Sequence, residues 1–206
     1  MADTTTIPLT LEERLPLGEA FTVEASWETF LRILEKGAYP VQYDEGKILS
    51  FMGYGTEEHE AIIGEIIRLL GNLLLDTNCQ VYGSNLPITT LEAGKRYYNA
   101  DCSVVEGQVE RVALKGDMTA VVNPKLIVEV LSKNTRNFDL GQKFQQYKTI
   151  PSLHQILYVD SESPSVISYR RRDTEGTWLI EEFAAPEAEV PVLEAGHLLI
   201  KDIYRL

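Results

Sequence analysis

One acidic residue of this chain lies inside a long apolar run. Glu129 interrupts the segment LIVEVL at 126–131, which has the length and composition of a strand buried on both faces. An unpaired buried carboxylate costs several kcal/mol, so this glutamate needs a metal ion, a cationic partner or a raised pKa. A structural ion pair with an arginine is the alternative to a metal, and the run alone does not choose between them.

A second acid, Asp101, lies 28 residues upstream in the segment YYNADCSVV. Period-2 alternation places it on one face of a strand with Asn99 and Ser103, either at a site or on a solvated edge strand. Hard cations such as Mg²⁺ prefer carboxylate oxygens. Two carboxylates at the ends of neighbouring apolar strands therefore predict a metal-assisted site for phosphodiester hydrolysis.

Lys143 lies on a helix that we predict over 135–149. Leu140, Phe144 and Tyr147 form its core stripe, and Lys143 lies about 60° to one side of that stripe at 100° per residue. This position is typical of a boundary lysine, which lays its stem on the core and brings its ammonium to the sheet edge. An ordinary snorkelling lysine fits the same position, so its functional interest depends on the two acids.

Taken together, these residues resemble a known nuclease motif. Asp101 followed by Glu129-Val130-Leu131 is similar to the bipartite motif of the PD-(D/E)XK superfamily, which has the restriction-endonuclease-like fold. More narrowly, LIVEVLSKNTRNFDLGQKFQQY and the following HQILYVD resemble the bacterial putative restriction endonuclease family, with a likeness extending over about 27–183. The resemblance implies Asp101 and Glu129 as metal ligands for Mg²⁺ or Mn²⁺.

Two positions depart from the superfamily pattern. The catalytic lysine of the superfamily stands two residues after the glutamate, where this chain has Leu131, and the resemblance makes Lys143 on the next helix its counterpart. The proline that precedes the aspartate is Ala100 here, which removes a backbone restriction but no catalytic group.

Two further residues are accessory candidates. His59 projects near the centre of its helix's apolar stripe, which favours a core histidine with one hydrogen bond over a metal-shell or water-orienting group. Glu45 lies in a predicted hairpin turn, where a solvated acid is the usual case, and the resemblance alone places it near the mouth of the site.

The helices and strands that must position these residues are predicted to form one α/β domain. We predict an extended arm over 1–22 and a nuclease domain over 23–206, with a central mixed β-sheet flanked by helices around a single core. The predicted helices are one starting at Ser26 and ending before Gly37, a long one over 56–76, one over 135–149 and a short helix or turn near 201–206. The predicted strands are a hairpin of 39–43 and 47–52, then 80–91, 96–105, 125–131, 154–160, 166–171 and 178–183, with a polar connection over 107–122.

The composition of the chain limits which partners such a domain can bind. The 206 residues carry 19 Lys and Arg against 31 Asp and Glu, a net charge of −12, so we expect DNA to bind weakly in the absence of metal. The two cysteines form no CxxC pair, and neither a membrane span nor a signal peptide is recognisable, so we expect a cytoplasmic protein without a membrane partner. A chain of this size often forms a homodimer, which we also expect.

Two other functions stay open at this point. One is a catalytically inactive nuclease-fold module that acts through protein partners or dimerisation, and the net charge and Leu131 favour it. The other is a metal-dependent hydrolase of a small phosphorylated substrate, because fold alone does not fix the substrate.

Overall fold

The computed structural model of the protein describes residues 7–51, 56–90, 95–173 and 176–205. The helices in these ranges are α1 (Leu11–Arg14), α2 (Trp27–Lys36), α3 (Glu57–Leu73), α4 (Arg136–Phe138), α5 (Phe144–Tyr147) and α6 (Ile200–Ile203). A 3₁₀ turn, Leu15–Leu17, follows α1, and a π-helical turn, Asp139–Lys143, joins α4 to α5. None of the helices in the described ranges combines the length and the apolar composition that crossing a bilayer requires.

The strands form two large sheets and a separate hairpin. They are β1 (Ala20–Glu24), β2 (Gln42–Asp44), β3 (Lys47–Phe51), β4 (Cys79–Gly83), β5 (Pro87–Ile88), β6 (Arg96–Asn99), β7 (Cys102–Glu106), β8 (Arg111–Lys115), β9 (Met118–Val121), β10 (Leu126–Leu131), β11 (Gln155–Asp160), β12 (Val166–Arg171), β13 (Trp178–Phe183), β14 (Glu189–Val192) and β15 (Gly196–Leu199). The six-stranded sheet has the order β13-β12-β11-β10-β7-β4, the seven-stranded sheet β1-β3-β2-β6-β5-β9-β8, and β14 pairs with β15. Both large sheets are mixed, since β10 runs parallel to β11 and β5 parallel to β9.

Helices cover both faces of the six-stranded sheet. On one face α3 buries Ile62, Ile66 and Leu70, which lie at i, i+4 and i+8 and pack in one cluster with apolar side chains of β7, β10 and β11. On the other face the α4–α5 segment packs on Ile127 and Leu131 in a second cluster. All six residues of β10 are buried as a result, which explains why its sequence is almost continuously apolar.

A third cluster lies under the seven-stranded sheet. There α2 packs Phe30 and Ile33 against Tyr43, Ile48 and Tyr97. The predicted start of this helix is confirmed, because the Ser26 side chain accepts a hydrogen bond from Thr29 N at 3.1 Å, and Gly37 follows its last residue.

The N-terminal prediction is wrong over 7–22, while residues 1–6 lie outside the described part. Instead of an extended arm, α1 begins with a capping box between Thr10 and Glu13, and β1 pairs antiparallel with β3. Arg14 is fully buried and donates to Ser50 Oγ at 3.1 Å and to Ser50 O at 2.7 Å. The sequence TLEE at 10–13 has the capping-box pattern that predicts the start of this helix.

Other strand predictions need correction as well. The predicted polar connection over 107–122 contains the hairpin β8–β9, whose turn includes Gly116 at φ 54°. The predicted strand 96–105 is two strands, β6 and β7, in different sheets, and 80–91 likewise divides into β4 and β5. The hairpin β14–β15 was not predicted. The predicted strands of 125–131, 154–160, 166–171 and 178–183 are confirmed within a residue; residues 52, 91 to 94 and 206, at the ends of predicted elements or turns, lie outside the described residues.

Candidate active site between the two large sheets

Glu129 is at the centre of the site. It lies in β10, is 2 % exposed, and shares its sheet face with Ile127 and Leu131 under the α4–α5 segment. Two donors reach the same carboxylate oxygen: the Tyr147 hydroxyl lies 2.8 Å from Oε1, and Lys143 Nζ lies 2.8 Å from Oε1. The buried acid therefore has a cationic partner, which is one of the possibilities that its place in an apolar strand leaves open.

Lys143 is held more tightly than a boundary lysine. Its side chain is 2 % exposed, and its ammonium also donates to Asn99 O at 3.1 Å and to Asp139 Oδ1 at 3.2 Å. The expectation that the lysine snorkels to the sheet edge is wrong, because these acceptors surround the ammonium inside the protein.

The helix face that packs on the sheet also differs from the prediction. Tyr147 of the predicted core stripe is buried as expected, but Asp139 and Lys143 are buried on the same face, whereas Leu140 and Phe144 of that stripe are only partly buried. The π-helical turn over Asp139–Lys143 changes the rotation per residue, so a count at 100° assigns the wrong face. Polar residues face the sheet here because Glu129 gives them a partner.

Asp101 lies at the crossing between the two large sheets. It follows β6 of one sheet and immediately precedes β7 of the other, and Cys102 is opposite Val128, which brings Asp101 level with Glu129 on β10. Its Oδ2 accepts a hydrogen bond from Val130 N at 2.7 Å. The break between β6 and β7 thus turns the Asp101 carboxylate onto the main chain beside Glu129.

The charges of the site are strongly coupled. Burial raises the pKa of Glu129 to about 8, although the positive charge of Lys143 opposes this shift. Burial also raises the pKa of Asp101, again against the effect of Lys143. Burial lowers the pKa of Lys143, but attraction to Glu129 and Asp139 outweighs it and the pKa is raised, so the lysine stays charged.

His59 reaches the same strand from the opposite face. It lies in the first turn of α3, and its Nε2 is 3.1 Å from Val130 O, while Nδ1 is 3.5 Å from Glu60 Oε1. Val130 is therefore linked through its N–H to Asp101 and through its carbonyl to His59. His59 thus makes the one hydrogen bond expected of a core histidine, with its side chain 16 % exposed, and its accessory role at the site stays a prediction.

Glu45 is separate from this group. It lies in the two-residue turn between β2 and β3 with φ 38°, is ion-paired with Arg96, and its side chain is 53 % exposed. Among the described residues it makes no hydrogen bond or ion pair with Asp101, Glu129 or Lys143.

Sequence reasoning missed Asp139 and Tyr147 as members of the site. Both contact the Glu129–Lys143 pair, and both lie four residues from Lys143. That spacing of three polar residues on one helix face, opposite a strand with a buried glutamate, was the available signal.

The carboxylates fit a Mg²⁺ or Mn²⁺ ion by the chemistry of their oxygens. In the described part of the chain, no hydrogen bond reaches Asp101 Oδ1 or Glu129 Oε2, so each acid keeps one oxygen for a cation. No group of three or more His, Cys, Asp or Glu side chains there is arranged to hold a metal. Two carboxylates are nevertheless a usual protein contribution for Mg²⁺, which keeps several waters and binds substrate phosphates.

The same region of the chain matches a known family. A family model described as a putative restriction endonuclease, Uma2, matches residues 27–199. The chain belongs to this Uma2 family. The resemblance seen in the sequence is thereby confirmed.

Two similar proteins align with most of this chain. The uncharacterized protein slr1290 of Synechocystis sp. (strain ATCC 27184 / PCC 6803 / Kazusa) is 31 % identical over 160 residues, which cover 78 % of this chain and 80 % of slr1290. The uncharacterized protein sll1609 of the same organism is 27 % identical over 161 residues, covering 78 % and 88 %.

A solved structure shares the fold. The crystal structure of a putative nuclease belonging to DUF820 from Anabaena variabilis ATCC 29413 superposes with a TM-score of 0.67 at 22 % identity, covering 87 % of this chain and 97 % of that one. The predicted α/β, restriction-endonuclease-like fold is confirmed.

Proposed function

We propose that the protein is a metal-dependent endonuclease that hydrolyses phosphodiester bonds, with DNA as its substrate. The observation that supports this most directly is the pair of Asp101, just before β7, and Glu129, in the neighbouring β10, with the buried Lys143 beside Glu129. Among the described residues, each acid has one oxygen that no hydrogen bond reaches. Membership of a family described as putative restriction endonuclease points the same way.

The residues have separate roles in this proposal. Asp101 and Glu129 would hold Mg²⁺ or Mn²⁺, which supplies Lewis-acid activation of a water and neutralises charge on the phosphate. Lys143 contributes its positive charge to the pentavalent phosphate or orients the nucleophile. Tyr147 donates a hydrogen bond to one oxygen of Glu129, and Val130 N donates one to an oxygen of Asp101. These two hydrogen bonds would orient the other oxygen of each acid towards the cation.

The partner expectations belong to the same proposal. A net charge of −12 opposes tight binding to DNA, so we propose that DNA binds weakly until the acids of the site are neutralised by a cation. A homodimer would present two such sites related by a two-fold axis, which suits cleavage of both strands of a duplex.

A second candidate is a catalytically inactive nuclease-fold module. The observation that favours it is Leu131, which stands buried at the position of the superfamily's strand lysine. The hydrogen-bonded state of Lys143 favours it too, because every N–H of the ammonium already has an acceptor.

The test is cleavage of supercoiled plasmid and of single-stranded oligonucleotides with Mg²⁺ or Mn²⁺, with and without chelator. Wild type and Glu187→Gln, whose side chain is 74 % exposed at a distant surface pair, are expected to cleave equally. Asp101→Asn and Glu129→Gln are expected to lose at least about 100-fold in rate. Cleavage that survives both substitutions would contradict the assignment of the site, and a wild type that binds metal yet cleaves neither substrate would contradict the choice of DNA.

A further inference from the structure

Among the described residues, as many oxygens contact the Lys143 ammonium as it has hydrogens. An ammonium carries three N–H donors, and Nζ has three acceptors at 2.8 Å (Glu129 Oε1), 3.1 Å (Asn99 O) and 3.2 Å (Asp139 Oδ1). For Lys143 to meet a phosphate, as the proposed function requires, one of these contacts must open.

The two carboxylates among these acceptors differ in what else they do. Glu129 is a proposed metal ligand, and its Oε1 is shared with the Tyr147 hydroxyl. Asp139 begins the π-helical turn that ends at Lys143, and its main-chain oxygen accepts a hydrogen bond from the Tyr158 hydroxyl at 3.1 Å. Asp139 is thus fixed independently of Glu129 and is buried beside the ammonium.

We propose that Asp139 is a positioning residue that keeps the Lys143 ammonium in the site once Glu129 binds a divalent cation. This inference rests on the proposed function. Like charges a few ångströms apart in a buried site repel strongly, so the ammonium and a divalent cation compete for Glu129. The ammonium then leaves Oε1, stays with Asp139 and Asn99 O, and gains one free N–H for a phosphate.

The test is a double-mutant cycle on Mn²⁺ affinity, measured by calorimetry with wild type, Asp139→Asn, Lys143→Met and the double variant. Lys143→Met removes the competing cation and is expected to raise the affinity at least about tenfold, since a nearby charge changes the affinity of a carboxylate for a proton by about 10- to 1000-fold. Asp139→Asn leaves the ammonium dependent on Glu129 and is expected to lower the affinity about tenfold.

The double variant separates positioning from a simple loss of negative charge. If Asp139 acts through the lysine, Asp139→Asn has no further effect beyond about twofold in the Lys143→Met background. The same loss in both backgrounds would overturn the proposal, as would a Lys143→Met protein that binds Mn²⁺ no more tightly than wild type. Lys201→Met is the matched control, because it removes one positive charge from a surface pair with Glu187 and is expected to leave the affinity unchanged.

A measurement on wild type covers the case in which a variant fails to fold. The ¹⁵N resonance of the Lys143 ammonium is expected to move when Mg²⁺ saturates the site, while those of exposed lysines stay in place. A resonance that does not move although Mg²⁺ binds would overturn the proposal. Absence of metal binding by wild type would instead contradict the proposed function itself, so the two failures are distinguishable.

Discussion

Two buried acid–base clusters contact β6, one at Arg96 and the other at Asn99, and they use their carboxylates differently. In the first, Asp44 Oδ1 is ion-paired with Arg96 Nε at 3.3 Å without hydrogen-bond geometry, and Oδ2 accepts a hydrogen bond from Gln142. In the second, Lys143 and Tyr147 converge on one oxygen of Glu129, and among the described residues Asp101 also accepts a hydrogen bond at one oxygen, Oδ2.

The difference indicates what each cluster is for. Asp44 ties β2 to β6 and to the helical segment, since each of its oxygens faces a side chain of one of those elements. Glu129 and Asp101 are each held through one oxygen, and among the described residues no hydrogen bond reaches the other oxygen, as the proposed cation site requires. We therefore expect substitutions in the first cluster to affect folding and substitutions in the second to affect metal binding.

The largest effect is expected from Asp44→Ala. Breaking a buried ion pair by removing one partner leaves Arg96 with a desolvated charge, which costs about 3–5 kcal/mol in the free energy of unfolding. Arg96 keeps its pairing with Glu45, so the lower end of this range applies. Urea denaturation measures the loss, and Mn²⁺ affinity of the folded variant is expected to match wild type. A loss of metal affinity without a loss of stability would show that Asp44 serves metal binding rather than folding.

Tyr147→Phe is expected to have an intermediate effect on both properties. It removes the hydroxyl that donates to Glu129 Oε1, a hydrogen bond worth about 1.5–3 kcal/mol when Glu129 is charged, while the ring stays in its cluster. The metal affinity is expected to fall about tenfold, because the ligand loses its orientation. Tyr158→Phe is the matched control: it removes a buried hydroxyl that donates to the main chain of Asp139, and it should cost stability with a smaller change in affinity.

The pH dependence of metal binding is expected to follow Glu129. Its pKa is raised by burial to about 8, so below pH 8 a proton competes with the cation for the carboxylate. The apparent affinity should rise by up to about tenfold per pH unit between pH 6 and 8 and level off above, as seen by calorimetry in a series of buffers. An affinity that does not change over this range would mean that no proton competes for Glu129, because Lys143 keeps the carboxylate ionised.

Glu129→Gln is expected to have the smallest effect on stability. The glutamine keeps an acceptor for Tyr147 and Lys143, removes the cost of a buried carboxylate, and leaves Lys143 its contact with Asp139. The free energy of unfolding should change by less than about 1 kcal/mol. A loss as large as that of Asp44→Ala would show that both clusters serve folding.

The sequence predicts the site well where a residue's type conflicts with its surroundings. A glutamate in an apolar strand is such a conflict, and β10 and the burial of Glu129 are confirmed. The starts of α2 and α3 are also predictable, because Ser26 and Thr56 are capping residues whose side chains accept bonds from the first turn.

Local rules fail where distant groups decide the conformation. The π-helical turn places Asp139 and Lys143 on the sheet beside Tyr147, and the apolar periodicity of 135–149 does not predict this turn. The break between β6 and β7 is equally hidden, because the alternation of YYNADCSVV continues through the point where the chain passes from one sheet to the other. Both irregularities lie at the site, where consistency between local pattern and fold is often given up for function.

The proposed metal site is tested most directly by Mn²⁺ titration by calorimetry, without substrate, of wild type beside Asp101→Asn and Glu129→Gln. Wild type is expected to bind Mn²⁺ saturably, and each substitution is expected to abolish the binding. Absence of binding by wild type, or binding that persists in both variants, would contradict the proposed site and leave Glu129 as the buried partner of Lys143 in a module without metal.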